Sequence, residues 1–172
     1  MSLPASAPRP ARLLATGFGI GLLRPAPGTW GSLVTVFAVY ALAQWFGPWA
    51  VVVLLAVALV GGYWASVQIL AAGEDQDPSE VVIDEVAGQT LALLPAVFGS
   101  AGYTGPLWHL WPAWVGGFLL FRLFDIWKPS IIGWADRRGG AFGLMMDDLL
   151  AGLVAAFVTM LAAGVYHGAL GL

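Results

Sequence analysis

The sequence predicts an all-α protein: a polytopic membrane helix bundle of about five transmembrane helices with an N-terminal interfacial or re-entrant segment. Three observations carry that prediction. Hydrophobic residues make up 59% of the 172, and charged residues only 10%. The mean hydropathy of +0.83 lies outside the range of soluble globular domains. The seven basic and ten acidic residues fall into three patches, Arg9 to Arg24, Glu74 to Glu85 and Arg122 to Asp148, separated by uncharged runs. A hydrocarbon core takes about 20 helical residues to cross. The uncharged runs 25–73, 86–121 and 149–172 therefore have room for two, two and one crossings.

The absence of cysteine excludes disulfides, thiolate metal sites and a cysteine nucleophile. A net charge of -3 is too small to imply a nucleic-acid partner. Residues 1–10, "MSLPASAPRP", read as a disordered tail, and 11–172 as a single integral membrane domain. The stretch "ARLLATGFGIGLL" resembles a signal-peptide core, but no small-residue cleavage site follows and Arg24-Pro25 interrupts it. It reads as the interfacial or re-entrant segment, 11–24.

The first crossing runs from about 30 to 46 and ends at Gly47-Pro48. The second, from about 49 to 72, completes a hairpin. The third starts near Glu80 and continues to about Phe98, where "GSAGYTGP" makes a short loop. The fourth extends from about Leu107 to Trp127, with Pro112 tolerated in its first turns. Pro129 stops it and pushes Lys128 out of the right-handed helical region. The fifth begins at about Asp147, after a flexible "GGAFG" loop at 139–143. Nine tryptophans fit interfacial aromatic belts. An up-and-down walk from a cytoplasmic N-terminus brings all three charged patches to one face, in agreement with the positive-inside rule.

That face holds the candidate chemistry. Asp84 and Glu85 in "DPSEVVIDEVAGQ", Asp125 near the inner end of the fourth helix, and Asp147 with Asp148 bring carboxylates from three helices to one level. Oxygen ligands of this kind suit a hard cation, Mg²⁺ among them. The bland alternative is that acids near helix N-termini complement the macrodipole, each by about 0.3–1 kcal/mol. In "FRLFDIWKP", Arg122, Asp125 and Lys128 at i, i+3 and i+6 share a helical face that could hold phosphate, or else form an ion-pair ladder. In "RPAPGTWGS", Gly28, Thr29, Gly31 and Ser32 offer backbone N–H groups and hydroxyls at a helix start: an anion site, or ordinary capping. His109 and His167 lie towards the opposite face.

Taken in order, "APGTWGSL", "DPSEVVIDEVAGQ", "FRLFDIWKPSIIGWADR" and "GLMMDDLLAG" resemble the bacterial phosphatidylglycerophosphatase A family over about residues 13–160. Ile131 departs from the family by standing where a second proline is common, and "RRGGAFG" is shorter than the usual loop. The resemblance implies a Mg²⁺-dependent enzyme of the bacterial inner membrane. It would remove the terminal phosphate of phosphatidylglycerophosphate, leaving phosphatidylglycerol, with its site on the cytoplasmic face. Read onto this chain, Asp84, Glu85, Asp147 and Asp148 would hold the metal. Thr29, Ser32, Arg122, Lys128, Arg137 and Arg138 would bind the phospholipid substrate. Asp84, Asp125, Lys128 and Asp148 would carry catalysis, with the general base left open among the acids. The alternatives are a small cation transporter or channel, against which no charge lies at mid-bilayer depth, and a non-catalytic membrane assembly subunit.

Overall fold

The computed structural model describes residues 3–73, 75, 77–100, 103 and 105–170, and among them there is no strand. The α-helices are α1 (Arg9–Ala15), α2 (Pro27–Phe46), α3 (Pro48–Ala72), α4 (Ile83–Gly99), α5 (Trp111–Trp127), α6 (Ile131–Asp136) and α7 (Gly140–Leu170). Short 3₁₀ turns lie at Ile20–Leu22 and Leu107–Leu110. α2, α3 and the stretch Gly140–Tyr166 of α7 are long and apolar enough to cross a membrane. α4 and α5 are 17 residues each. Length and apolarity alone thus support three crossings, against the five read from the sequence.

Helix starts differ from the sequence reading for identifiable reasons. α2 begins at Pro27, because proline at the first helical position loses no hydrogen bond and has its φ already set; "PGT" is therefore a helical turn and not the approach to one. α7 begins at Gly140, not at Asp147. The break is made by Gly139 and Gly140, at φ +65° and +63°, and residues 141–143 of the expected loop are helical. The sequence reading started this helix at the aspartate pair, whereas the helix itself starts two turns earlier, on the small and apolar residues Gly140 to Met146. α6 was not foreseen. Within the stretch read as a tail, Ala7 is buried, Ser6 Oγ donates to the Ala72 carbonyl and α1 already starts at Arg9. Lys128 does leave the right-handed region, adopting φ 48° and ψ 51° as the C-cap of α5.

α4 is the central element, packing on α2, α3, α5 and α7. Its closest approach is to α7, where each helix carries Asp-x-(Val/Leu)-Ala-Gly: Asp84 to Gly88, and Asp148 to Gly152. A Cβ on Gly88 would meet the Asp148 carbonyl oxygen and, at 2.6 Å, the Phe121 ring; one on Gly152 would overlap the Gly88 carbonyl. Without side chains at these points the backbones touch, as small residues allow between membrane helices. The contact fixes both aspartates one turn from the crossing, on the same side of it.

α1 lies against α3, with Ala11 and Ala15 fully buried. The Val82 N–H donates to the Ala15 carbonyl at 2.8 Å. The N-terminal segment therefore anchors the chain just before α4 begins.

Candidate active site

The start of α4 is held from several sides. Val81, Val82 and Ile83 are buried, Arg24 Nη2 donates to Glu80 Oε1 at 2.8 Å, and Gly21 leaves room for the Glu80 carbonyl. Asp84 and Glu85 follow in the first turn, where the Glu85 N–H donates to Asp84 Oδ1 at 3.0 Å. α7 repeats the device: the Asp148 N–H donates to Asp147 Oδ1 at 3.0 Å. Across the α4–α7 contact, Asp84, Glu85 and Asp148 each bring a carboxylate oxygen within 4.8 Å of the others. Asp84 is 6% exposed and Asp148 4%. Gly28 completes the approach, since a Cβ there would run into Glu85 Oε1. The candidate anion site at the start of α2 thus has the Glu85 carboxylate standing over it.

Two cations flank the trio. Arg122 Nη1 pairs with Asp125, lies 4.0 Å from Glu85 Oε1 and reaches Ser32 Oγ at 3.5 Å. Lys128 leaves the expected ladder with Asp125 and pairs instead with Asp136 of α6 and Asp147 of α7. Burial by itself would lower the Lys128 pKa, but the hydrogen bonds to Asp136 and Asp147 outweigh it and hold the ammonium above its ordinary value. Asp147, a candidate metal ligand, is thereby committed to Lys128 and stands outside the trio.

These groups line a cleft of about 580 Å³. Around it stand seven carboxylates, Asp77, Asp84, Glu85, Asp125, Asp136, Asp147 and Asp148, and two cations, Arg122 and Lys128. If all are ionised the cleft carries five excess negative charges, which would repel a phosphate unless a further cation entered. Of the residues lining the cleft, two have a buried atom with no hydrogen-bond partner among the described residues: Glu85 at Oε2 and Arg122 at Nε. An unpartnered carboxylate oxygen within an all-oxygen trio fits a hard divalent cation, and an unpartnered guanidinium N–H beside it fits an anion. The macrodipole explanation weakens as well. It remains open for Asp84 and Glu85, but Asp147 and Asp148 lie about two turns inside α7, beyond the reach of a helix terminus.

The remaining candidates divide. Thr29 lines the cleft. Ser32 is fully buried behind it and donates to the Gly28 carbonyl at 2.8 Å, so it braces Arg122 without facing the cleft. Arg137 and Arg138 are exposed and do not line the cleft; the Arg138 guanidinium stacks on Trp134 at 4.4 Å. The structure instead brings in Asp136, Asp77 and Ser79. Asp136 stood in the quoted "WADR", one residue from the arginines chosen in its place. His109 sits at the far end of the bundle, bonded through Nδ1 to the Tyr103 hydroxyl at 2.8 Å. The side chain of His167 lies outside the described residues.

Membrane-length helices closing an oxygen-donor trio and two cations into a cleft at one end define a class: all-helical proteins with helices apolar enough to cross a membrane and a charged cleft where those helices begin and end. The comparison with known sequences narrows this class. Residues 13–163 match the family described as phosphatidylglycerophosphatase A. The chain belongs to that family and is a phosphatase. It is 34% identical over 152 residues to phosphatidylglycerophosphatase A of Haemophilus influenzae, covering 87% of this chain and 86% of the relative. It is also 34% identical over 151 residues to the Escherichia coli phosphatidylglycerophosphatase A, covering 86% and 80%. A Bacteroides thetaiotaomicron protein provisionally named a phosphatidylinositol-3-phosphatase is 34% identical over 145 residues, covering 82% and 86%. No solved structure matches the chain.

Proposed function

We propose that the protein hydrolyses phosphatidylglycerophosphate to phosphatidylglycerol and phosphate in phospholipid biosynthesis. The reaction takes place at the cytoplasmic face of the bacterial inner membrane and uses Mg²⁺ held by Asp84, Glu85 and Asp148. The observation that carries this reading is the trio with its unpartnered Glu85 oxygen, set beside Arg122 and Lys128 at the ends of membrane-length helices. α4 and α5 join the three longer helices as crossings. Their charged ends meet the cleft, and the apolar remainder of each runs away from it.

When bound, such a cation supplies Lewis-acid neutralisation of phosphate charge and activation of water. The chain's own residues do the rest. Arg122, oriented by Asp125 and Ser32, presents its free Nε to a phosphate oxygen. Lys128 is held by Asp136 and Asp147, so its ammonium is aimed at the cleft before substrate arrives and loses little rotamer freedom on binding. The left-handed backbone at Lys128, a conformation that costs of order 1–3 kcal/mol for a side-chain-bearing residue, sets that direction. A transporter reading is disfavoured because the described charged residues lie at the cleft end and none at mid-helix depth.

The head group is the finer point, because relatives with two different head-group names are equally identical to this chain. The test is phosphate release by purified protein in micelles from phosphatidylglycerophosphate and from phosphatidylinositol-3-phosphate, with Mg²⁺ or with a chelator. We expect release from phosphatidylglycerophosphate that stops on chelation. Asp84→Asn and Asp148→Asn should each lower kcat/KM by at least about a hundredfold. Preference for the inositol lipid would reassign the substrate, and full activity in chelator would remove the metal.

A further inference from the structure

We propose that the apolar groove between α2 and α5 holds one acyl chain of the substrate lipid and so registers its phosphate in the cleft. The proposal rests on the lipid-phosphatase reading and deepens it. The groove encloses about 540 Å³, and its wall is formed on one side by Leu33, Val36, Phe37 and Tyr40 and on the other by Phe118, Val115, Trp114 and Trp111, with Trp108 beyond. All of these are apolar or aromatic, whereas the cleft is lined by charge.

Continuity between groove and cleft is what identifies the occupant. Thr29 lines the cleft; Leu33, Val36 and Tyr40 stand four, seven and eleven residues further along α2, on the same helical stripe. Arg122 lines the cleft; Phe118, Val115 and Trp111 stand four, seven and eleven residues back along α5, again on one stripe. The two helices that present Thr29 and Arg122 to the polar end of a substrate therefore present, without a change of face, an apolar channel to whatever is attached to it. From Thr29 to Tyr40 the helix rises about 16 Å at 1.5 Å per residue. This is close to half of a hydrocarbon core about 30 Å thick, the depth of one leaflet. Phe37 is 65% exposed and Val115 44%, so the groove opens sideways to lipid and a chain can enter without leaving the bilayer. At its outer end the Trp114 ring is fixed by Nε1 donating to the Leu107 carbonyl at 2.9 Å and by an edge contact with Tyr40 at 5.8 Å.

A second apolar groove of about 640 Å³ lies between the later halves of α4 and α7, among Leu94, Phe98, Thr159 and Met160. It lies further along the faces of α4 and α7 that carry Asp84 and Asp148, but the Gly88–Gly152 contact, where the two backbones touch, stands between it and the acidic trio and leaves no channel from one to the other. It serves as the internal control.

The experiment uses full-length protein in micelles and two phosphatidylglycerophosphates, one with long and one with four-carbon chains. Val115→Trp and Phe37→Trp, both on the open wall, should each reduce kcat/KM on the long-chain lipid by about tenfold while changing the short-chain value less than about twofold. Independently, wild-type protein is photolysed with a long-chain phosphatidylglycerophosphate carrying a diazirine in its acyl chain, and adducts should concentrate on α2 and α5 residues of the groove. Equal effects on both lipids, no effect on either, or adducts concentrated on α4 and α7 or spread evenly over the lipid-facing surface would overturn the proposal. Wild-type protein inactive on both lipids would instead count against the phosphatase reading, and the adduct pattern would still decide the groove.

Discussion

Lys128 is the residue on which the site's electrostatics turn. Its ammonium meets Asp136 and Asp147, whose side chains are 42% and 7% exposed. Two roles fit that position: neutralising a buried carboxylate, or offering a positioned cation to phosphate. A double-variant cycle separates them. If the ammonium serves phosphate, Lys128→Met loses a charge-assisted contact worth roughly 1.5–3 kcal/mol. The corresponding fall in kcat/KM is about ten- to hundredfold, and adding Asp147→Asn restores nothing. A double variant as active as Asp147→Asn alone would reduce Lys128 to a counter-ion. pH does not confuse the test. Because the folded-state pKa is raised, Lys128 contributes its full stabilisation below the ordinary lysine pKa and loses it only as pH rises through a still higher value. Any change in activity near neutrality belongs to other groups.

At the scale of elements, the meeting of α4 with α7 makes the site. Gly88→Leu would force a side chain against the Asp148 carbonyl and the Phe121 ring, parting the helices and separating Asp84 from Asp148. We expect a loss of about 1–3 kcal/mol or more of stability, read by thermal unfolding in mild detergent, together with loss of activity. Gly99→Leu, at a position where a Cβ meets nothing, is the matched control and should leave both unchanged. Unaltered activity in Gly88→Leu would show that the contact does not set the trio. The sequence made much of this region legible, for plain reasons: charge confined to three patches located the cleft end of every long helix, and the adjacent acids marked α4 and α7. It could not say which acids share a centre. Consecutive helical residues point about 100° apart, yet Asp84 and Glu85 both reach the trio, whereas of Asp147 and Asp148 only the second does because Lys128 holds the first, and nothing in the spacing distinguishes the two pairs. It also could not place Arg137 and Arg138. α6 buries Ile132, Gly133 and Ala135, and that short helix turns the arginines outward while bringing Asp136 to the cleft. The Asp-x-(Val/Leu)-Ala-Gly repeat was readable and carried the missing information, because an acid four residues before a small residue lies one turn from any close crossing that residue permits.

For the whole molecule, one question governs the function: which side of the membrane the cleft faces. α2, α4 and α7 begin at the cleft and α5 ends there, so the bundle has a charged end and an uncharged end. Arg9, Arg12, Arg24, Arg122, Lys128, Arg137 and Arg138 all belong to the segments at the charged end, and the connection around Tyr103 has no charged residue. Basic residues in short connections are retained on the cytoplasmic side, which supports the proposal that the cleft faces the cytoplasm. The chain has no cysteine, which makes single introduced thiols unambiguous reporters. Ser100 would be a poor position, being 8% exposed, whereas Tyr103 is 41% exposed and Arg137 lies on the open surface beside the cleft. Tyr103→Cys should react with an impermeant maleimide in intact cells, and Arg137→Cys only once the membrane is permeabilised. Arg137→Cys should also keep its activity within about twofold, since that side chain stands outside the cleft. The reverse labelling pattern would place the acidic trio on the outer face and overturn the cytoplasmic reading.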